Sequence, residues 1–507
     1  MRLKTSSADD SVNYRYSGIL VHPTSFPSPY GIGDFGKGAY DFIDFLEASG
    51  QHLWQILPLN PITSYGNSPY QGFSVFAGEP LLLSPQLLKE QGLLAEEDLR
   101  VIPDFDPVRV DYEAVRAYKY PLYRKAYQNF LEGGGTALQE VYDDFCARNE
   151  DWLSDYCLYM AIKDEQEGLP WTKWPEALRN LSEKDRAFWM QKLEKEIGYY
   201  AFLQFCFRFQ WASLKEYAND RGIAIIGDIP IFVSPDGADV WANRELFQVD
   251  TKGYPSVVAG VPPDYFSATG QMWGNPLYDW AAHKKDGYRW WIARVRHLLD
   301  QADYVRIDHF RGFESYWEIP ADAENAITGV WRKGPGEELF RAIHRALGED
   351  LPIFAEDLGL ITPEVVRLRD TLGFPGMRVL QFAFDGGEST FLPHQFDTRN
   401  CICYTGTHDN NTTVGWYNSA PEYSRDKVRR YMNTDASSIS WDFIRICLGT
   451  IARYAIFPLQ DVLKLGEEAR MNVPGVAEGN WAWRYRDGDL NSGMAGGLRQ
   501  MTELFGR

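Results

Sequence analysis

Apolar residues gather along this chain in short runs that end at polar or glycine-containing turns, and most intervals between the runs carry helical spacing. The first run, SGILVH at 17–22, is followed by Pro, Ser and Gly through Gly36. Ala39, Phe42, Ile43 and Leu46 then recur at i, i+3, i+4 and i+7 before Gly50. These signals predict strand, loop and helix with a glycine stop. HLWQILPL at 52–59 supplies the next strand, so the chain opens with a βαβ unit and a parallel sheet. The pattern returns in IAIIGDIPIFV from Ile223, YVRIDHF from Tyr304, PIFAEDLG from Pro352, GMRVLQF from Gly376, CICYTGTHDN from Cys401 and AIFPLQDVL from Ala455. Eight buried strands alternating with helices predict an α/β fold, a (β/α)8 TIM barrel with inserted, mostly helical subdomains, whose chemistry lies on the loops after the strands.

Spacing sets the domain organisation. The second and third strands are separated by everything from Leu53 to Ala224, whereas the fifth and sixth are only Ile353 to Met377 apart. The expectation is a single catalytic barrel over 1–507, a helical insertion at 75–200 between strands 2 and 3, and a second insertion at 234–303 that includes a lid loop at 259–280. An independent domain between two α/β halves is the alternative, against which stands the lack of a Pro/Gly/Ser linker. Two segments rich in Gly, Pro and aromatics read as loops that wall a substrate: TSYGNSPYQ, with Tyr65 and Tyr70, and 259–280, with Tyr265, Phe266 and Trp273 as sugar-stacking side chains of the lid.

Composition narrows the partners. Hydrophobic residues at 45% and charged residues at 24% exclude disorder and collagen. The net charge of −19 repels phosphate backbones and anionic lipid, so neither nucleic acid nor membrane is expected as a partner. A neutral sugar is indifferent to that charge, and 17 Trp, 29 Tyr and 29 Phe offer faces for it. The six cysteines form no disulfide framework, and Cys401 and Cys403 alternate in an apolar run as strand residues do. The first residues lack an apolar signal core and carry Asp9 and Asp10, so the protein is expected to be cytoplasmic.

Three strands end in an acid: Asp308 in VRIDHF, Glu356 in IFAEDLG and Asp409 in YTGTHDN. On a parallel barrel those ends face the same way. Glycoside chemistry needs two carboxyl groups flanking the scissile bond, one ionised and one protonated. Each acid alone also fits a structural partner of a nearby Arg or a helix cap. Arg306 leaves the same strand face as Asp308 and would keep it ionised. His408 adjoins Asp409 and could donate to a sugar hydroxyl, or be a packed histidine. Asp228, inside IIGDIPIFV, is a fourth acid that needs a partner if buried. The eight histidines include no HxH or HExxH pattern, so no metal is assigned.

From SGILVHPTSFPSPYGIGDFG to GNWAWRYRDGDL the chain resembles the 4-α-glucanotransferases of the amylomaltase or disproportionating-enzyme family, relatives of the α-amylases. The resemblance implies retaining transfer of α-1,4-glucan segments between maltooligosaccharide or amylose chains, onto the 4-hydroxyl of a glucan or glucose, without metal or cofactor. It implies Asp308 in RIDHFRG as nucleophile, Glu356 in AEDLG as general acid and base, and Asp409 in GTHDNNT as transition-state stabiliser. Arg306, His408, Asp228 and Tyr70 match positions used around the reacting glucose. An α-amylase-like hydrolase with the same carboxylates and a catalytically silent glucan-binding protein are the competing readings.

Overall fold

The computed structural model describes residues 14–63, 66–263, 267–385 and 389–507; Tyr65, Tyr265 and Phe266 lie outside them. In chain order the strands are β1 (Tyr16–Leu20), β2 (Leu53–Gln55), β3 (Ala224–Ile229), β4 (Val257–Val261), β5 (Gln271–Pro276), β6 (Tyr304–Ile307), β7 (Ser315–Pro320), β8 (Val330–Lys333), β9 (Ile353–Ala355), β10 (Gly376–Val379), β11 (Cys401–Tyr404) and β12 (Tyr454–Pro458).

Each of the eight apolar runs carries one strand of a parallel sheet, ordered β10-β11-β12-β1-β2-β3-β6-β9. The ends of that row meet where the Ala355 N–H donates to Pro375 O at 3.0 Å. The result is a (β/α)8 barrel. Its strands are short, three residues in β2 and β9, and buried on both faces, which is why they read as continuous apolar runs and not as alternation.

The crossover from β2 to β3 is filled by helices, among them Tyr112–Leu131, Glu150–Glu165 and the 27-residue Glu194–Asp220, about 40 Å long at 1.5 Å per residue. The last of these returns the chain to β3. On it, Gln204 and Gln210 are buried and pair with loop backbone like a short stretch of sheet. Gln204 accepts from Gly78 N–H at 2.7 Å and donates to Gly78 O at 2.9 Å; Gln210 accepts from Ser84 N–H at 2.8 Å and donates to Ser84 O at 3.3 Å. Barrel residues such as Trp54 and crossover residues such as Tyr123, Tyr156 and Trp211 share one apolar core.

The inserted material is not all helical. β4 and β5 pair antiparallel, and β7 and β8, which follow barrel strand β6, extend them to a four-stranded sheet ordered β5-β4-β7-β8. The 259–280 segment, expected as a loop, is therefore partly strand. Its composition misleads because glycine here serves close approach: a Cβ on Gly260 would lie 2.1 Å from Gln271 O, where the β4–β5 register shifts between Val258 and Gly260. The partner strand β7 lies more than fifty residues downstream of β4, beyond the reach of any local pattern. Among the described residues no helix is long and apolar enough to cross a membrane.

Candidate active site

β3 and β6 are neighbours with Asp228 opposite Arg306, and Asp308 leaves the same face as Arg306 two positions on. The guanidinium bridges both acids, Nη1 donating to Asp228 Oδ2 at 2.6 Å and Nη2 to Asp308 Oδ1 at 2.9 Å. β6 pairs in turn with β9, Ile307 opposite Ala355, so Glu356 emerges beside Asp308. The ladders run past the strand ends: Asp308 N–H donates to Ile229 O at 2.9 Å and Glu356 N–H to Ile307 O at 3.0 Å.

Backbone donors aim the Glu356 carboxyl. His309 N–H donates to Oε2 and Leu358 N–H to Oε1, each at 2.7 Å. His309 reaches that position in the left-handed region, φ 50°. The next acid, Asp357, points away and pairs with Arg369 and with Met377 N–H, so of the two adjacent acids only Glu356 belongs to the site.

The loop after β11 is pinned by buried Asp461, which accepts from Thr405 Oγ1 at 2.6 Å, Thr413 Oγ1 at 2.7 Å and Thr413 N–H at 2.8 Å. It presents His408 and Asp409. Tyr70, from the loop after β2, donates through its hydroxyl to Asp228 Oδ2 at 2.7 Å and lies 2.9 Å from His408 Nε2; the two rings stack at 5.3 Å. His408 Nε2 stands 3.4 Å from Asp409 Oδ2. Seven expected residues, Tyr70, Asp228, Arg306, Asp308, Glu356, His408 and Asp409, thus gather at the C-terminal ends of the strands. Trp273, on β5, joins them edge-on to His309 at 5.0 Å, with Nε1 donating to Gln271 Oε1 at 3.2 Å.

Three residues were not anticipated. Asn472 donates through Nδ2 to Asp409 Oδ1 at 2.6 Å, Arg470 donates to Asp409 O at 2.8 Å, and Trp481 lies 5.8 Å from Tyr70 and 6.0 Å from His408 between ring centres. All follow β12, in a segment with no periodic pattern; the aromatic cluster WAWRY was its one visible signal.

The electrostatics divide the carboxyls. Asp228 and Glu356 are buried, while the side chains of Asp308 and Asp409 keep 28% and 45% exposure towards the cleft. Burial pushes Glu356 up to about 8, with the Asp308 charge adding and Arg306 and the two N–H donors opposing. Burial likewise takes Asp228 up to about 7, against the pull of Arg306. Asp308 is also raised by burial, and here Arg306 is the chief counterweight. Burial would weaken the Arg306 cation, but Asp228 and Asp308 outweigh it and hold the guanidinium well above its ordinary range. Burial lowers His408, which is thereby a neutral imidazole, and raises Tyr70 well above the usual phenol. The arrangement sets a protonated carboxyl beside one that a fixed cation helps to ionise, on two adjacent strand ends. Among the described residues no group of three or more His, Cys, Asp or Glu is placed to hold a metal.

Comparison with known proteins agrees with this geometry. A family model described as 4-alpha-glucanotransferase matches residues 21–491. The chain is 49% identical to a 4-alpha-glucanotransferase of Synechocystis, over 97% of this chain and 98% of that one, and 48% identical to one of Thermus thermophilus, over 97% and 99%. Among solved structures, an amylomaltase from Streptococcus agalactiae in complex with acarbose superposes with a TM-score of 0.93 at 40% identity, covering 97% of this chain and 99% of that one.

Proposed function

Because the chain belongs to the 4-alpha-glucanotransferase family and is an enzyme of that activity, we propose that its reaction runs through Asp308, Glu356 and Asp409 as two successive displacements. An Asp308 carboxylate oxygen attacks the anomeric carbon of the donor glucan. The bond to the leaving O4 breaks, and that oxygen takes the proton of Glu356. The ionised Glu356 then removes the proton from the 4-hydroxyl of the acceptor, whose oxygen attacks the same carbon and releases Asp308. Two inversions at one carbon retain its configuration.

The observation that carries this reading is the pairing of opposite environments: Arg306 on Asp308, and burial with two backbone donors on Glu356. Asp409, held by Asn472, and the His408–Tyr70–Asp228 chain present fixed polar atoms to the hydroxyls of the distorted sugar. Trp273 gives the acceptor a face to stack on. The donor is a maltooligosaccharide or amylose chain and the acceptor glucose or another maltooligosaccharide. Six unpaired cysteines suit a reducing cytoplasm.

The experiment is product analysis on maltotriose with Asp308→Asn beside it. The enzyme yields longer and shorter oligomers with few new reducing ends, whereas a hydrolase yields reducing ends alone. Asp308→Asn loses transfer by about three orders of magnitude or more while still binding maltooligosaccharide. Near-normal turnover in that variant would end the assignment of the nucleophile.

A further inference from the structure

Behind the wall that carries His408 lies a cavity of about 20 Å³. Its polar lining includes His22, Ser25 and His408, with Leu20, Leu57 and Pro458 on its apolar side. His22 follows β1, and Ser25 closes the single turn Pro23–Ser25 after it, its N–H donating to His22 O at 3.0 Å. All three polar residues are buried, exposed by 7%, 0% and 5%. Each brings one buried atom that no protein group satisfies: His22 Nδ1, Ser25 Oγ and His408 Nδ1.

The protonation of His408 follows from its other nitrogen. Asp228 Oδ2 already accepts from Arg306 Nη1 and so carries no hydrogen of its own; the Tyr70 hydroxyl therefore spends its hydrogen on that oxygen and can only accept from His408 Nε2. The Asp409 carboxylate, 3.4 Å from the same nitrogen, makes the same demand. His408 therefore carries its hydrogen on Nε2, and its buried Nδ1 is a bare lone pair. Burial also lowers His22, to about 3, so it too is neutral and can offer an acceptor.

A buried water needs roughly 10–15 Å³ and two to four polar partners, and it costs little where those partners are otherwise orphaned. We propose that the cavity is a structural water site in which one water donates to His22 Nδ1 and His408 Nδ1 and accepts from Ser25 Oγ–H, locking His408 in the tautomer whose Nε2–H faces the Tyr70 hydroxyl and Asp409 on the substrate side. The hydrogens balance: two donated by the water, one received. His22 and Ser25 are then positioning residues that act through His408. Without the water, a proton moved to Nδ1 would turn the Nε2 lone pair towards the Asp409 carboxylate and remove a donor from the site.

This rests on the placement of His408 at the reacting sugar. The test uses the full-length enzyme. A high-resolution crystal structure shows density for one water within hydrogen-bond distance of the three atoms; an empty cavity, or rings turned so that both Nδ1 atoms meet protein donors, overturns the proposal. Two-bond 1H–15N spectra of 15N-histidine-labelled enzyme report the tautomer. His22→Leu and Ser25→Ala are expected to mix the His408 tautomers and lower kcat on maltotriose about tenfold with KM within about twofold, while His22→Asn, whose Oδ1 replaces Nδ1, restores both. Unchanged tautomer and kcat in Ser25→Ala, the milder change should His22→Leu not fold, also overturn it. If His408→Asn keeps full transfer, the substrate role of His408 has failed instead, and the density still decides the water site.

Discussion

Glu356→Gln tests the protonation of the acid and does so without measuring catalysis. Burial raises this carboxyl from its ordinary 4.5 to about 8, which corresponds to about 5 kcal/mol at most between its two protonation states. Between those pH values the folded protein holds the proton and the unfolded chain releases it, so stability falls as pH rises; the penalty is absent below about 4.5 and complete above about 8. A glutamine side chain carries no such proton and escapes the penalty. Its own cost is local: one of the two N–H donors, from His309 or Leu358, now meets an NH2 group, at about 1–3 kcal/mol. The variant should therefore be slightly less stable than the parent at pH 5 and more stable by about 2–4 kcal/mol at pH 8.5. Asp228 and Asp308 titrate in both proteins and largely cancel in the difference. The assay is Tm against pH from 5 to 8.5 for the two proteins side by side. A difference in Tm that stays flat across that range refutes the raised carboxyl, and with it the proton that Glu356 must deliver to the leaving oxygen.

The same proton predicts that maltotriose transfer declines as pH rises through about 8, and that the decline vanishes with a glucosyl fluoride donor, whose leaving group needs no protonation; an alkaline limb identical for both donors would contradict it. Arg306→Lys replaces a fork that reaches Asp228 and Asp308 together with a single nitrogen that reaches one of them, so kcat should fall by about 10² or more while the fold survives by circular dichroism. Asn472→Ala removes the 2.6 Å donor to Asp409 and should lower kcat about tenfold with KM little changed, as initial rates over a maltotriose series will show. Trp273→Ala should raise the ratio of reducing ends released to glucosyl units transferred several-fold, because an acceptor held in place competes with water by orientation; an unchanged ratio removes Trp273 from the acceptor face.

The barrel and its three acids are legible in the linear sequence because their signals are local. A buried parallel strand shows as an apolar run, the turn after it as Gly or polar residues, and the acid at the junction needs no knowledge of distant residues to be noticed: Asp308, Glu356 and Asp409 each stand at such a junction. Arg306 beside Asp308 is legible for the same reason, a period of two along one strand. What the tertiary structure decided depends on residues far apart in the chain. The Asp228–Arg306 bond needs the β3–β6 register, Tyr70 reaches Asp228 across a whole helical crossover, and Asn472 reaches Asp409 from beyond the last strand. The sheet that carries Trp273 pairs β4 with β7, and its glycines, which read as loop, mark close approach of two backbones. The choice of Glu356 over Asp357 turns on which way one peptide faces. Above all, the raised Glu356 proton is a property of burial among Asp308, Arg306 and two backbone donors, a dielectric and charge environment that exists only once those strands stand side by side.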